Sequence, residues 1–148
     1  MNHVLVTGAT GFIGRRLAIE LRRQSLSVRA LVRDVGRAGM LSSHGVSLRE
    51  GRVEDSSSLH GLCAGIDTVF HLAGYAHADA ASKGASDLHQ KITVEGTRGL
   101  LGEAIRQRVK RFVLVSSAKA QGEDTVGCID EDTLSLPTTD YGRSRFEA

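Results

Sequence analysis

The sequence predicts a doubly wound α/β domain, a parallel sheet between two layers of helices. Three observations predict it. Short β-branched, apolar runs alternate with segments of helical apolar spacing along the whole chain. Glycine occurs 17 times and proline once in 148 residues, which suits strands and helices joined by tight turns. Gly8, Gly11 and Gly14, in TGATGFIG, stand between the first apolar run and the first helical pattern, where sheets of this kind bind ligands.

The elements follow in order. His3–Thr7 is a buried strand. Phe12–Arg23 has Ile13, Leu17, Ala18 and Leu21 at helical spacing. Ser27–Val32 (SVRALV) predicts a second strand, Asp34–His44 a loop with a weak helix, and Val46–Leu48 a short third strand. Asp55–Leu62 opens on capping residues and predicts a short helix. Asp67–Leu72 (DTVFHL) is a fourth strand, and Tyr75–Ser86, polar and rich in small residues, a long loop. Leu88, Ile92, Leu100, Leu101, Ala104 and Ile105 outline a long helix on which Gly96 and Gly99 permit close packing. Arg111–Val115 is a fifth strand, Ser116–Thr139 a long irregular segment, and Tyr141 opens another helix.

The bulk numbers bound the function. One domain of this length buries a core without staples. A net charge of +2 gives no argument for nucleic acid or a membrane surface as partner. No apolar run approaches a membrane span, and MNHVLVTG lacks the regions of a secretory signal. Cys63 and Cys128 lie far apart with no metal-type spacing, which suits reduced thiols in the cytoplasm.

The glycine turn has the context that gives it meaning, strand before and helix after. Gly8 allows a tight turn, Gly11 lets backbone approach a ligand where a Cβ collides, and Gly14 lets the helix pack close to the strand. The N–H groups at the helix start then face an anion such as a dinucleotide pyrophosphate. The candidate contacts here are Gly8, Thr10, Gly11, Phe12, Ile13 and Gly14. No Gly-Lys-Ser/Thr follows, so the turn is not a P-loop.

Four stretches in this order, TGATGFIG, DTVFHLAG, VSS (Val115–Ser117) and YxxxR (Tyr141–Arg145), resemble the extended short-chain dehydrogenase/reductase family of NAD(P)-dependent sugar-nucleotide epimerases, dehydratases and reductases. The resemblance runs over essentially the whole chain and implies a three-layer Rossmann fold. In the family's alignment the NAD-selecting carboxylate falls at Val32, which leaves Arg33 facing the adenosine ribose. An arginine there accommodates the 2′-phosphate of NADP, so NADP is the expected cofactor, with NAD kept open by Asp34. The resemblance puts a family aspartate at Arg52, a departure, while Val53 offers backbone contacts and Leu72, Ala73 and Gly74 lie against the ribose and pyrophosphate. His71 reads as a hydrogen-bonded packing histidine. Thr93–Thr97 (TVEGT) resembles the family's NVxGT helix segment, with threonine where asparagine is usual.

The implied chemistry is hydride transfer beside a proton-exchanging tyrosine, with a neighbouring cation to favour the phenolate and a hydroxyl to hold the substrate oxygen. By motif Tyr141 is the tyrosine and Ser117 the hydroxyl, while Ser116 points elsewhere by alternation. The cation is Arg145 where the family has lysine. Four residues on, it shares a helix face with Tyr141, but it does not deprotonate and its fork differs in reach from an ammonium. A working enzyme and an NADP-binding sensor without turnover therefore both stand.

Ser116–Glu123 (SSAKAQGE) is similar to a segment of bacterial sugar-nucleotide 4-epimerases and 4-ketoreductases. That implies a UDP-hexose substrate, reaction at sugar C4, and Lys119 as a substrate contact, or equally a solvated loop lysine. A small-ketone reductase of the dihydroflavonol type is a further alternative. Family members are roughly twice this length. Residues 1–148 are thus expected to be the N-terminal dinucleotide-binding part of a longer protein, without its last strands and substrate domain. Alone, this part is expected to bind cofactor weakly and not to turn over; a homodimer stays open for the longer protein.

Overall fold

The computed structural model describes residues 2–76, 84–123, 128–130, 132–133 and 137–148. Five strands, β1 (His3–Thr7), β2 (Ser27–Val32), β3 (Ser47–Glu50), β4 (Thr68–His71) and β5 (Arg111–Leu114), form one parallel sheet in the order β3-β2-β1-β4-β5. The helices are α1 (Phe12–Arg23), α2 (Gly39–Ser43), α3 (Ser56–Leu59), α4 (Ala85–Leu88), α5 (Gly96–Arg106) and α6 (Asp140–Glu147). Short 3-10 turns occupy Val35–Ala38 and Ala118–Ala120.

Period-2 alternation splits the core into two layers. Val4 and Val6 of β1 join Val28, Ala30 and Val32 of β2 on one face, under Ala18 of α1 and Leu41 of α2. Leu5, Leu31 and Val69 point to the other face, under Leu59 of α3 and Leu100 and Ala104 of α5. Full burial of one such side chain contributes about 1.5–3 kcal/mol. Gly96 and Gly99 of α5 are the close-packing positions expected: a Cβ on either would stand 3.0 Å from Val53 or Leu59.

The third strand and the long helix differ in kind from the sequence expectation, while α3, β4 and β5 are shorter than expected and end at Leu59, His71 and Leu114. The third strand is Ser47–Glu50 rather than Val46–Leu48. Val46 instead closes the turn after α2, its N–H donating to Leu41 O at 3.1 Å while its side chain is buried. The polar run SLRE forms a strand because pairing with β2 from Ser47 to Glu50 sets it, and an edge strand buries little. The long helix is continuous but not uniform: a π-helical segment, His89–Glu95, joins α4 to α5 and turns His89, Thr93 and Val94 inward. Such wide turns are frequent at functional sites. The long loops expected over Tyr75–Ser86 and Ser116–Thr139 lie partly outside the described residues, and α4 takes in Ser86.

The chain leaves β1 toward β2 and β3, then returns to place β4 on the other side. The order therefore reverses between β1 and β4, and the crevice at their carboxyl ends is where ligands bind in open sheets. Among the described residues no helix is long and apolar enough to cross a membrane.

Candidate functional site

A cavity of about 450 Å³ opens at that crevice, within the range of small-molecule sites. Its wall includes Gly8, Thr10 and Gly11 after β1, Val32 at the end of β2 and Arg33 after it, Gly51 to Glu54 after β3, Leu72 to Ala76 after β4, and Ile92 and Arg145.

The glycine turn forms one end. Gly8 has φ +67°, and a Cβ there would stand 2.8 Å from Ala73 N and Leu72 C. A Cβ on Gly14 would collide with Gly8 O, so α1 packs on the turn itself. Gly11 is extended (φ −73°, ψ 173°) and is the N-cap of α1. No side chain caps that helix and no acidic residue lies in its first turn, so its leading N–H groups remain for an anion. Arg22 and Arg23 at the other end complement the dipole. The side chains of Phe12 and Ile13 are exposed and outside the cavity wall, with Arg16 over the Phe12 ring; at this position only their backbone faces the turn.

At the other end, Arg33 and Arg52 both line the cavity. Asp34 is engaged elsewhere: its carboxylate accepts from Gly36 N at 2.8 Å and pairs with Arg37 at 3.5 Å. Arg52 pairs with Glu54 at 3.4 Å.

A buried hydrogen-bond chain fixes the middle of the wall. Ala73 N donates to Thr7 Oγ1 (3.2 Å), and Thr7 Oγ1 lies 2.5 Å from His71 Nδ1. His71 Nε2 lies 2.9 Å from Thr97 Oγ1, which donates to Thr93 O at 2.5 Å. Because the Thr97 hydroxyl proton goes to Thr93 O, Thr97 Oγ1 accepts from His71, which assigns the neutral Nε2–H form and leaves Nδ1 to accept from the Thr7 hydroxyl. Thr93 Oγ1 in turn accepts from Tyr75 N at 3.1 Å. His71 is thus the packing histidine expected, and Thr93 and Thr97 hold the cavity wall rather than merely packing a helix. Burial, and secondarily the Arg145 charge, push His71 down to about 4 from its ordinary 6.5. The unfolded chain therefore takes up this proton first on acidification. Stability is full above about pH 6.5 and is lost toward pH 4, by about 3 kcal/mol for this group; His89, lowered mainly by burial, adds the same sign. Urea unfolding at pH 7 and pH 4.5 should show that slope in the wild type and a flatter one in His71→Gln. Equal slopes in the two proteins would exclude His71 as its source.

The Tyr141 end is built on α6. Thr139 caps the helix, its Oγ1 accepting from Gly142 N. The Arg145 guanidinium lies 5.3 Å from the Tyr141 ring centroid, as the four-residue spacing predicts. Arg145 is 9% exposed and donates from Nη1 to Val115 O at 3.5 Å, and among the described residues its Nε has no partner. A Cβ on Gly74 would stand 2.5 Å from Arg145 Nη2, so the guanidinium rests on the Leu72–Gly74 wall. His89 sits edge-on between Tyr75 (4.9 Å) and Tyr141 (6.0 Å), which sequence reasoning missed; only its place on the π turn brings it there.

The serines have distinct bonds. Ser116 Oγ donates to Arg145 O at 3.3 Å, fastening α6 to the end of β5. Ser117 Oγ accepts from Lys119 N at 3.3 Å and caps the 3-10 turn, which leaves its proton to donate. Lys119 is exposed. Ser117, Tyr141 and Lys119 stand outside the cavity wall proper, whereas Gly8, Thr10, Gly11, Arg33, Val53, Leu72, Ala73, Gly74 and Arg145 form it. Gly14 sits behind the turn.

A parallel sheet reversing between β1 and β4, with a glycine turn leading into an uncapped helix, is a Rossmann-like fold. The chain belongs to the NAD dependent epimerase/dehydratase family, whose profile matches residues 4–148. A UDP-glucose 4-epimerase of Vibrio cholerae is 32% identical over 148 residues, 98% of this chain and 44% of that protein. A 4-hydroxy-2-methyl-3-oxo-4-farnesyl-3,4-dihydroquinoline-1-oxide ketoreductase of Stigmatella aurantiaca is 35% identical over 112 residues, 76% of this chain and 32% of that protein. A short-chain dehydrogenase/reductase superfamily protein from Agrobacterium tumefaciens, solved with bound NAD, matches with a TM-score of 0.84 at 29% identity, over 99% of this chain and 42% of that one. The chain thus spans less than half the length of these relatives.

Proposed function

We propose that the protein is a nicotinamide-dinucleotide-dependent 4-epimerase or 4-ketoreductase acting at C4 of a UDP-hexose, with residues 1–148 as its dinucleotide-binding part and the sugar pocket in further sequence. The observation that carries the reading is Arg145: a buried cation on the cavity wall, stacked on Tyr141 one helical turn away. The Vibrio cholerae epimerase and the NAD-bound Agrobacterium tumefaciens protein support it.

The residues present fit the cofactor. The uncapped start of α1 offers N–H groups to a pyrophosphate, and Gly11 leaves the approach open, a Cβ there meeting only Gly8 O at 3.2 Å. When bound, the nicotinamide supplies the hydride acceptor or donor. Tyr141 exchanges the proton of the sugar hydroxyl, Ser117 donates to that oxygen, and Arg145 keeps a fixed positive charge beside the phenol ring. Lys119 is the proposed contact to a substrate phosphate. Incubating the full-length protein with UDP-glucose and NAD, or with a UDP-4-keto sugar and NADPH, should give conversion at C4. Cofactor binding without conversion of any UDP-sugar instead supports the second reading, a non-catalytic sensor. Arginine where the family has lysine favours that alternative, because its fork differs in reach from an ammonium.

Arg33 and Arg52 on the wall, with Asp34 engaged by Gly36 and Arg37, lead us to NADP over NAD. NADPH should bind more tightly than NADH. Arg33→Ser should weaken NADPH by about 10-fold, the scale of one charge-assisted hydrogen bond, and leave NADH unchanged. Fluorescence titration checks this, and a wild-type preference for NADH refutes it.

A further inference from the structure

Glu123 closes the SSAKAQGE segment, and neither cofactor nor substrate recognition uses it. Two consecutive threonines hold its carboxylate with four hydrogen bonds. Thr138 N and Thr138 Oγ1 donate to Oε2, each at 2.8 Å. Thr139 N and Thr139 Oγ1 donate to Oε1, at 3.4 and 2.5 Å.

Thr139 is also the N-cap of α6, its Oγ1 accepting from Gly142 N at 3.0 Å. A hydroxyl has one proton. Giving it to Glu123 turns the lone pairs of Thr139 Oγ1 toward the helix, so the carboxylate sets the orientation of the cap. These bonds, first that from the Thr139 hydroxyl, hold the Glu123 carboxyl down to about 2, so it is ionised at ordinary pH.

The same carboxylate meets the helix a second time. A Cβ on Gly142 would stand 2.6 Å from Glu123 Oε1, 2.7 Å from Lys119 O and 2.9 Å from Pro137 Cβ. The turn Ala118–Ala120, which Ser117 caps, therefore lies directly on the start of α6 with no room for a side chain between them. Tyr141 enters the helix between Thr139 and Gly142, both of which touch Glu123.

We propose that Glu123 is a positioning residue: it clamps the start of α6 to the turn after β5 and so fixes Tyr141 relative to Ser117. Glu123 touches no reacting atom and acts through the Thr139 cap. The proposal rests on the function proposed above for Tyr141 and Ser117.

The test is Glu123→Gln in the full-length protein. Glutamine keeps the size but has one acceptor oxygen instead of two, so one threonine pair loses its partner. Turnover should fall about 10-fold while the KM for the dinucleotide stays within about two-fold, as for a misplaced reacting group. Thr139→Ala should give the same fall, Thr139→Ser should restore turnover, and the Glu123→Gln/Thr139→Ala double variant should be no worse than either single, because both act through one cap. Amide exchange at Gly142 should quicken in Glu123→Gln, with β1 amides unchanged. Wild-type turnover in Glu123→Gln, additive losses in the double variant, or unchanged Gly142 exchange would each overturn the clamp. A wild type that converts no nucleotide sugar refutes the proposed reaction instead, and the exchange measurement still decides whether Glu123 holds the helix.

Discussion

Tyr141→Phe is expected to lower turnover of a UDP-sugar by about 10²–10⁴-fold, the usual contribution of a positioned acid–base group. Dinucleotide affinity should stay within a few-fold. The change removes the hydroxyl alone. The ring keeps its edge contact with His89 and its place under the Arg145 guanidinium, and Ser144 Oγ still donates to the backbone carbonyl of residue 141. The variant should therefore melt close to the wild type. Steady-state kinetics beside an NADPH titration separates the two effects. Turnover retained in Tyr141→Phe would remove this tyrosine from the chemistry and leave the dinucleotide site standing.

Gly11→Val should abolish useful dinucleotide binding, by about 100-fold or more, while the chain still folds. The backbone at Gly11 is extended, a conformation open to any residue, and its Cβ would meet only Gly8 O at 3.2 Å. The added methyl groups instead enter the approach to the α1 start. The loss corresponds to about two hydrogen bonds to a charged phosphate. The fold should lose only about 1 kcal/mol, from a poorer N-cap. Gly14→Val is the contrasting variant, since its Cβ runs into Gly8 O and it should unfold the turn itself. Calorimetric titration with NADPH, with urea unfolding as the control, checks both. Unimpaired binding in Gly11→Val would place the ligand elsewhere.

The sequence was most legible where local pattern and tertiary role coincide. β1, α1 and β2 have the bounds predicted, because β1 and β2 are apolar runs buried on both faces, α1 carries one buried stripe, and each ends on its own turn residues. The spacing of Tyr141 and Arg145 implied one helix face, and the guanidinium lies over that ring. The third strand shifted because pairing with β2, not hydrophobicity, defines an edge strand. The π turn at His89–Glu95 was not legible, because a helix that widens to bury His89 and Thr93 keeps nearly the same apolar spacing. Glu123 was visible as the last residue of a recognisable segment, but its partners lie 15 and 16 residues away, and no local pattern joins them. The one-way hydrogen-bond chain through His71 likewise needs three elements brought together by the sheet.

The proposed function stands or falls on whether the turn between β1 and α1 seats a dinucleotide. Amide chemical shifts of the 148-residue chain, recorded while NADPH or NADH is added, test it most directly. Saturable shifts are expected at Gly8–Gly14, with smaller ones at Leu72–Gly74 and Arg33, and none in the α2–β3 turn. No shift at Gly8–Gly14 with either dinucleotide at millimolar concentration, in a chain shown to be folded by its other amides, would contradict it.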